Sequence, residues 1–327
     1  MTEGNGNGAL KKKVGVYWAA SCGGCDISLL EIGPRILDLV AVADVVLWPC
    51  AADFKYSDVA NYPDGYIDYC FCNGGIRNSE QEEVARMLRN KSKTIIAYGA
   101  CSCGGGVPAL ANLKSTAAIL DAAYLSSPST PNSQKVLPQH ITPSSVGDLE
   151  IPILFDQVLR LSDVIEVDYE LPGCPPNADR VWEAILALVS GAVPERNNAL
   201  RVGCGDKSVC EECQREKRNN KVQHFQRPHL VRPEAGWCLM EQGIICMGAA
   251  TRSGCGALCT NAGLPCEGCY GPAGNVEDQG TAMISAIGSI CGARTEAEAM
   301  EMVEQIADPL GTFYRFTMAS SHLKGCK

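Results

Sequence analysis

The sequence has no run of 18 apolar residues, so no segment is long enough to cross a bilayer as a helix. Basic residues are in deficit: 28 Lys and Arg against 37 Asp and Glu leave a net charge of −9. That balance argues against nucleic acid or an anionic membrane surface as the main partner. Histidine is sparse, and His140, His224, His229 and His322 show no repeated metal-ligand spacing. His224 and His229 could donate to a nearby sulfide, but surface or core roles rank ahead. There is no Gly-rich phosphate loop closed by Lys, and Cys103–Gly106 is a poor substitute. Ser102 lacks the surroundings of a nucleophile elbow. The opening shows neither a secretory apolar segment nor a twin-Arg pair, from which we expect a cytoplasmic protein.

Cysteine is what the chain has in excess. There are 19 in 327 residues, an odd count in a chain longer than secreted disulfide scaffolds. In a reducing compartment such thiols stay unpaired, and clustered ones usually hold metal. The 46% hydrophobic and 20% charged content is that of an ordinary globular protein, and the length suggests two domains.

The organising stretch runs from Gly15 to Asp26. An apolar, β-leaning run, Val14–Ala20, leads into Cys22-Gly23-Gly24-Cys25, and a helical pattern follows from Asp26 to Val40 with Pro34 as a break or kink. Glycines there let backbone N–H groups approach a bound anion. Asp26 suits a helix cap or first turn. A thioredoxin-like redox pair is the rival reading of Cys-x-x-Cys, but it leaves most other cysteines unexplained.

Further strands are expected at Asp44–Trp48, Tyr66–Cys72, Thr94–Gly99 and Val164–Asp168, and further helices at Ser79–Arg89, Ala178–Ser190 and Pro108–Tyr124. The short Val/Ile-rich runs between helices imply a parallel sheet covered on both faces. Leu125–Pro152, with five prolines, reads as a surface insertion. After Pro194 the alternation stops. Arg201–Gly274 carries nine cysteines with weak periodicity, so something other than a hydrophobic core is expected to hold it. Glu296–Ile306 reads as a helix, and Pro309–Lys327 as an extended segment lying on other structure.

Cys22 and Cys25, Cys101, and Cys174 each follow a strand, at the carboxyl edge where open α/β sheets bind ligands. Four thiolates suit zinc or an iron–sulfur cluster. Glycine and proline in each loop favour the cluster, whose sulfides accept backbone N–H bonds at close approach. Cys103 is the rival to Cys101, which is preferred because it leaves the strand first. Downstream, Cys210, Cys213, Cys238, Cys246, Cys255, Cys259, Cys266 and Cys269 suffice for two more four-thiolate sites. The compact ferredoxin run is absent, and zinc is the structural alternative there. Three sites in one chain favour a relay, since zinc has no redox role. Cys50, Cys70, Cys72, Cys291 and Cys326 read as small buried hydrophobes, and Glu82 and Glu83 as a solvated helix face.

Ser21-Cys22-Gly23-Gly24-Cys25, Gly99-Ala100-Cys101, Pro172-Gly173-Cys174-Pro175-Pro176, the phrases Cys246–Gly256 and Pro265–Cys269, and the cysteine ladder resemble the small subunits of nickel–iron hydrogenases. The resemblance is strongest to the cytoplasmic F420-non-reducing (methyl-viologen-reducing) group. It implies a flavodoxin-like parallel sheet domain (14–195) and an irregular, cysteine-rich iron–sulfur domain (196–327). It implies three [4Fe–4S] clusters: proximal on Cys22, Cys25, Cys101 and Cys174; medial on Cys255, Cys259, Cys266 and Cys269; distal on Cys210, Cys213, Cys238 and Cys246. Cys204 is an alternative member of the distal set. Two departures from exported relatives stand out: Cys210 replaces a histidine, and Cys259 offers a fourth thiolate where those relatives hold a three-iron cluster. The resemblance also implies as partners a nickel–iron large subunit, a small iron–sulfur adaptor and a heterodisulfide reductase-type acceptor. The chain itself would carry no catalytic residue. A zinc-stabilised interaction protein and a complex I-like quinone-reductase subunit are the alternatives.

Overall fold

A computed structural model describes residues 11–192 and 200–325. The Gly/Asn-rich opening, the expected boundary near residue 195, and Cys326 lie outside them. Six strands form one parallel sheet: β1 (Lys12–Trp18), β2 (Ala43–Leu47), β3 (Ile67–Asn73), β4 (Ser92–Tyr98), β5 (Tyr169–Leu171) and the two-residue edge strand β6 (Leu200–Arg201). Their spatial order is β2-β1-β3-β4-β5-β6. The first five follow the flavodoxin-like order, whose direction switches between β1 and β3.

Burial explains the apolar runs within the strands. Val16, Phe71 and Ile96 pack on one face of the sheet, under α1 (Gly24–Leu30), α2 (Ile36–Val42) and α4 (Ala178–Ser190). Tyr17, Cys70, Cys72 and Ile95 pack on the other, under α3 (Ser79–Lys91). Asn78 opens α3 by accepting from Gln81 N–H at 2.9 Å, with Glu80 and Glu82 in the first turn and Arg89 and Lys91 in the last. That charge order complements the helix dipole. Asn177 opens α4 in the same way, and Gly191 closes it at φ 70°.

The expected helix Asp26–Val40 is two helices, interrupted by a 3₁₀ turn at Gly33–Arg35 around Pro34. The expected strand Val164–Asp168 is displaced: the strand lies at Tyr169–Leu171, and Val164–Asp168 is irregular. Asp168 is the reason. Its buried carboxylate accepts from Ile95 N–H at 2.7 Å and from Arg89 Nη1 at 2.7 Å, so a side chain occupies a ladder position that backbone would otherwise fill. Pro108–Tyr124 is not one helix but a 3₁₀ segment (Val107–Leu113), one α turn (Thr116–Leu120) and a π turn (Asp121–Leu125). The 125–152 insertion contains an exposed hairpin, Ile141–Ser144 with Gly147–Glu150.

The second region does have an apolar core, contrary to the sequence expectation. Val209, Val222, Phe225, Met247 and Ala250 pack against Met283 and Ile287 of α5 (Gln279–Ile290), Met302 of α6 (Glu296–Glu304), and Phe313, Tyr314 and Met318. The cysteine-rich stretch borrows these partners from downstream, so its own periodicity could not reveal them. The tail is likewise not extended: it makes short helical turns at Pro309–Phe313 and Met318–Ser320. It also touches the first region, where Phe316 O accepts from Gly106 N–H at 3.3 Å. Among the described residues no helix is long and apolar enough to cross a membrane.

Candidate metal centres

The eighteen described cysteines are all free thiols. Cys22 and Cys25 follow β1, Cys101 follows β4, and Cys174 follows β5. The backbone ties these loops together: Gly99 N–H donates to Leu171 O at 2.8 Å and Ala100 N–H to Gly173 O at 2.7 Å. From the α1 side, buried Asp26 accepts from Trp48 Nε1 at 2.9 Å and from Asn73 Nδ2 at 2.9 Å, which seats the first-turn residue beside Cys25.

The four thiols lie within electrostatic reach of one another. Burial drives the Cys25 thiol far up, with Cys101, Cys174, Asp26 and Cys22 adding to the rise. Cys101 is pushed up to about 12 by burial, then by Cys174 and Cys22, against a lowering bond from Val107 N–H. Cys174 is raised by burial, then by Cys22 and Glu267. Such mutual repulsion is what a multivalent cation relieves, because thiolate ligation replaces the protons. Close approach is built in. Gly99 sits at φ 86°, and a Cβ there would collide with the Cys25 sulfur. A Cβ at Gly106 would lie 2.5 Å from the Cys101 sulfur. Cys25 and Cys101 are buried while Cys22 and Cys174 are exposed, so the group opens at the molecular surface.

Cys103 stands apart from this opening. Its half-buried thiol donates to Ala97 O at 3.4 Å and neighbours Glu170, Arg201, Cys25 and Cys204. Cys204, raised to about 11 by burial, neighbours Arg252, Arg201, Asp206 and Glu170, and its backbone packs against Gly254, next to Cys255.

Downstream, Cys210, Cys213, Cys238 and Cys246 line one cavity of about 400 Å³. Cys246, raised to about 11 by burial, accepts from the N–H of Gly248 and from that of Cys266 at 3.2 Å. The remaining thiols form a third group. Burial raises Cys269 to about 12, with Cys255, Cys174 and Cys259 adding; Cys266 is raised by burial, then by Cys246, with Cys269 contributing. Cys255 accepts from the N–H groups of Ala257 and Leu258. Its loop is clamped by Glu212, whose carboxylate accepts from Gly254 N–H at 2.8 Å and Gly256 N–H at 3.0 Å. Among the described residues no group of three or more His, Cys, Asp or Glu closes around a single-ion position. The Cys210, Cys213, Cys238 and Cys246 thiols line a cavity with room for a polynuclear cluster.

The groups are also joined. Cys174 and Cys269 lie within electrostatic reach of each other, and Cys266 N–H donates to the Cys246 sulfur at 3.2 Å. Contacts thus run from the sheet-edge group through the 255–269 group to the 210–246 group.

The chain resembles known proteins over nearly all its length. It is 38% identical over 321 residues to an F420-non-reducing hydrogenase subunit of Methanothermobacter thermautotrophicus, covering 96% of each chain. It is 36% identical over 284 residues to an F420-non-reducing hydrogenase iron-sulfur subunit of Archaeoglobus profundus, covering 85% of this chain and 88% of that one. The family described as NADH ubiquinone oxidoreductase, 20 Kd subunit, matches residues 22–188. The chain belongs to the iron–sulfur subunits of F420-non-reducing hydrogenases. It is therefore an electron-transfer component of an oxidoreductase, in the small-subunit family of nickel–iron hydrogenases. The fold agrees: a [NiFeSe]-hydrogenase chain from Dm. baculatum superposes at TM-score 0.53 with 18% identity, covering 81% of this chain and 95% of that one.

Several supporting residues carried no signal in the sequence. Glu212 is one acid among many, and the seat of Asp26 depends on Trp48 and Asn73, distant in sequence. The bland readings fare unevenly. Cys70 and Cys72 are buried on β3, and Cys291 is half-buried with its sulfur 3.4 Å from Met302 Sδ. Cys50 is exposed, so it is not a buried hydrophobe. His224 and His229 are exposed, and Glu82 pairs with Arg86 at 2.6 Å on the outer face of α3.

Proposed function

We propose that this hydrogenase subunit relays single electrons through three [4Fe–4S] clusters, proximal on Cys22, Cys25, Cys101 and Cys174, medial on Cys255, Cys259, Cys266 and Cys269, and distal on Cys210, Cys213, Cys238 and Cys246. When bound, such clusters supply one-electron carriers whose potentials follow sulfur hydrogen bonding and burial. The chain's own residues grip them by thiolate, exclude water with the surrounding apolar cores, and aim N–H donors at ligand sulfurs. Hydrogen is cleaved in the nickel–iron large subunit, which docks at the exposed Cys22–Cys174 edge. Electrons leave at the Cys210–Cys246 end, to a small iron–sulfur adaptor and a heterodisulfide reductase-type acceptor in the cytoplasm. The division is a flavodoxin-like domain (14–195) and an iron–sulfur domain (196–327).

The carrying observation is the serial placement of the groups, with Cys174 beside Cys269 and Cys266 N–H on the Cys246 sulfur at 3.2 Å. Independent structural metal sites would have no need of such serial contact. Anaerobic isolation of the complex tests the reading: iron with labile sulfide, and co-elution of a large subunit and an adaptor, are expected. Colourless protein with stoichiometric zinc would replace this reading with the structural one.

A further inference from the structure

The chain is acidic, with a net charge of −9, yet one segment reverses that sign. Residues 214–237, which join Cys213 to Cys238, hold six Lys and Arg against two Glu. Both glutamates are taken by one cation: Arg218 pairs with Glu216 at 3.2 Å and with Glu234 at 2.9 Å. Among the described residues, Arg215, Lys217, Lys221, Arg227 and Arg232 form no ion pair with a carboxylate. Three of them, Arg215, Lys217 and Lys221, line the cavity of the Cys210–Cys246 group. Arg215 donates to Thr260 O at 2.7 Å and to Trp237 O at 2.8 Å, and Lys221 donates to Ser289 O at 2.7 Å. These neutral carbonyls hold the cations in place without cancelling their charge. Glu241, a carboxylate on the same wall, accepts from the N–H groups of Arg218 at 2.8 Å and Asn219 at 3.0 Å and from Trp237 Nε1 at 2.7 Å.

Lys217, Lys221, Arg227 and Arg232 are exposed. A charge that faces water compensates a buried group weakly, because the solvent screens it. It acts outward instead, on whatever approaches the opening. We propose that the 214–237 segment is the docking face for a protein electron acceptor whose own surface is acidic. The inference rests on the reading that electrons leave at the Cys210–Cys246 end, and it adds the charge of the partner that receives them. Complementary charge steers encounter and fixes orientation more than it adds affinity, which suits a carrier that must arrive and leave. Nucleic acid and anionic membrane are attracted by cations too, but neither accepts an electron at the mouth of this cavity. The acidic remainder of the chain also repels an anionic surface much broader than the segment.

The test is calorimetric titration of the iron-loaded complex of this chain with the large subunit, using two probes: an oxidised ferredoxin of net negative charge, and vesicles of an anionic phospholipid. The ferredoxin is expected to bind, and to lose about tenfold in affinity between about 0.01 and about 0.15 M salt, as the screening length falls from about 30 to about 8 Å. Lys217→Glu combined with Lys221→Glu should weaken ferredoxin binding about tenfold at low salt, and Arg227→Glu combined with Arg232→Glu should weaken it by less. Lys135→Glu, at an exposed cation of the 125–152 insertion, should leave it unchanged. If the first pair of substitutions costs the complex its iron, the second pair, which lies off the cavity wall, decides. Ferredoxin affinity unmoved by the reversals in an iron-loaded complex overturns the proposal. Binding of the vesicles in place of the ferredoxin overturns it as well, and assigns the face to a membrane. A parent complex with no iron–sulfur signal would instead remove the relay reading itself, and this role for the face with it.

Discussion

Cys22, Cys25, Cys101 and Cys174 stand on the edge of a parallel sheet, whereas the eight downstream cysteines stand on loops and short turns. The sheet-edge group is positioned by strand register, and its thiols are raised by burial and by one another, with Val107 N–H as a donor to Cys101. The downstream group is held by point contacts. Cys246, Cys255 and Cys266 all accept hydrogen bonds from backbone N–H groups, and Glu212 and Gln279 fix the loops from behind. A sheet can place ligands without many donors. Loops without a sheet need local donors to hold the same kind of site, and each donor to a sulfur also favours added electron density there.

The largest effect that sharpens this contrast is ligand loss. Serine at Cys25 or Cys174, or at Cys259 or Cys269, should remove about one third of the iron, one cluster of three. Serine at Cys103 or Cys204 should leave iron unchanged, and iron lost in either would break the assignment.

The metal-free chain should show the common cost of gathering thiols. Cys101, Cys246 and Cys269 have folded pKa values raised to about 12, 11 and 12, against 9.0 for an unperturbed thiol. A raised thiol pKa gives stability that is present below about pH 9 and lost as pH climbs toward 11–12, because the unfolded chain deprotonates first. Urea midpoints of the apo chain should therefore fall across that window, by at most about 1.4 kcal/mol per thiol per pH unit. A pH-independent midpoint would contradict it.

Asp26→Ala tests the sheet-borne side alone. It strands the Trp48 N–H and the Asn73 amide in a buried site, at about 2–4 kcal/mol of stability by chemical denaturation. An unchanged midpoint would mean that the strands hold Cys25 without this seat. Smallest is Glu212→Gln, which keeps one acceptor oxygen of the clamp on Gly254 and Gly256. Chelators should strip iron from it somewhat faster than from the parent, and equal rates would assign the loop's rigidity elsewhere.

Much of the sheet-borne half was legible in the amino-acid order, because period and burial are local there: β1 to β4, α3 and α4 all lie within a few residues of their expected spans. Strand β5 was misplaced because Asp168 supplies a ladder hydrogen bond from its side chain, which no propensity encodes. The downstream half was legible as a count of thiols but not as a fold. Its apolar partners, Met283, Ile287, Met302 and Phe313, come from later elements, and its loops are fixed by single side chains such as Glu212 and Gln279. Cys103 and Cys101, two residues apart, part company because the short helix at Ala100–Gly104 turns one thiol to the Ala97 carbonyl and the other to Cys22, Cys25 and Cys174.

The most direct test of the central claim is the iron, labile sulfide and zinc content of the anaerobically purified chain in its complex with the large subunit. Three four-thiolate cubanes require about twelve iron and twelve sulfide per chain. About one zinc per four-cysteine group with no labile sulfide would contradict the relay.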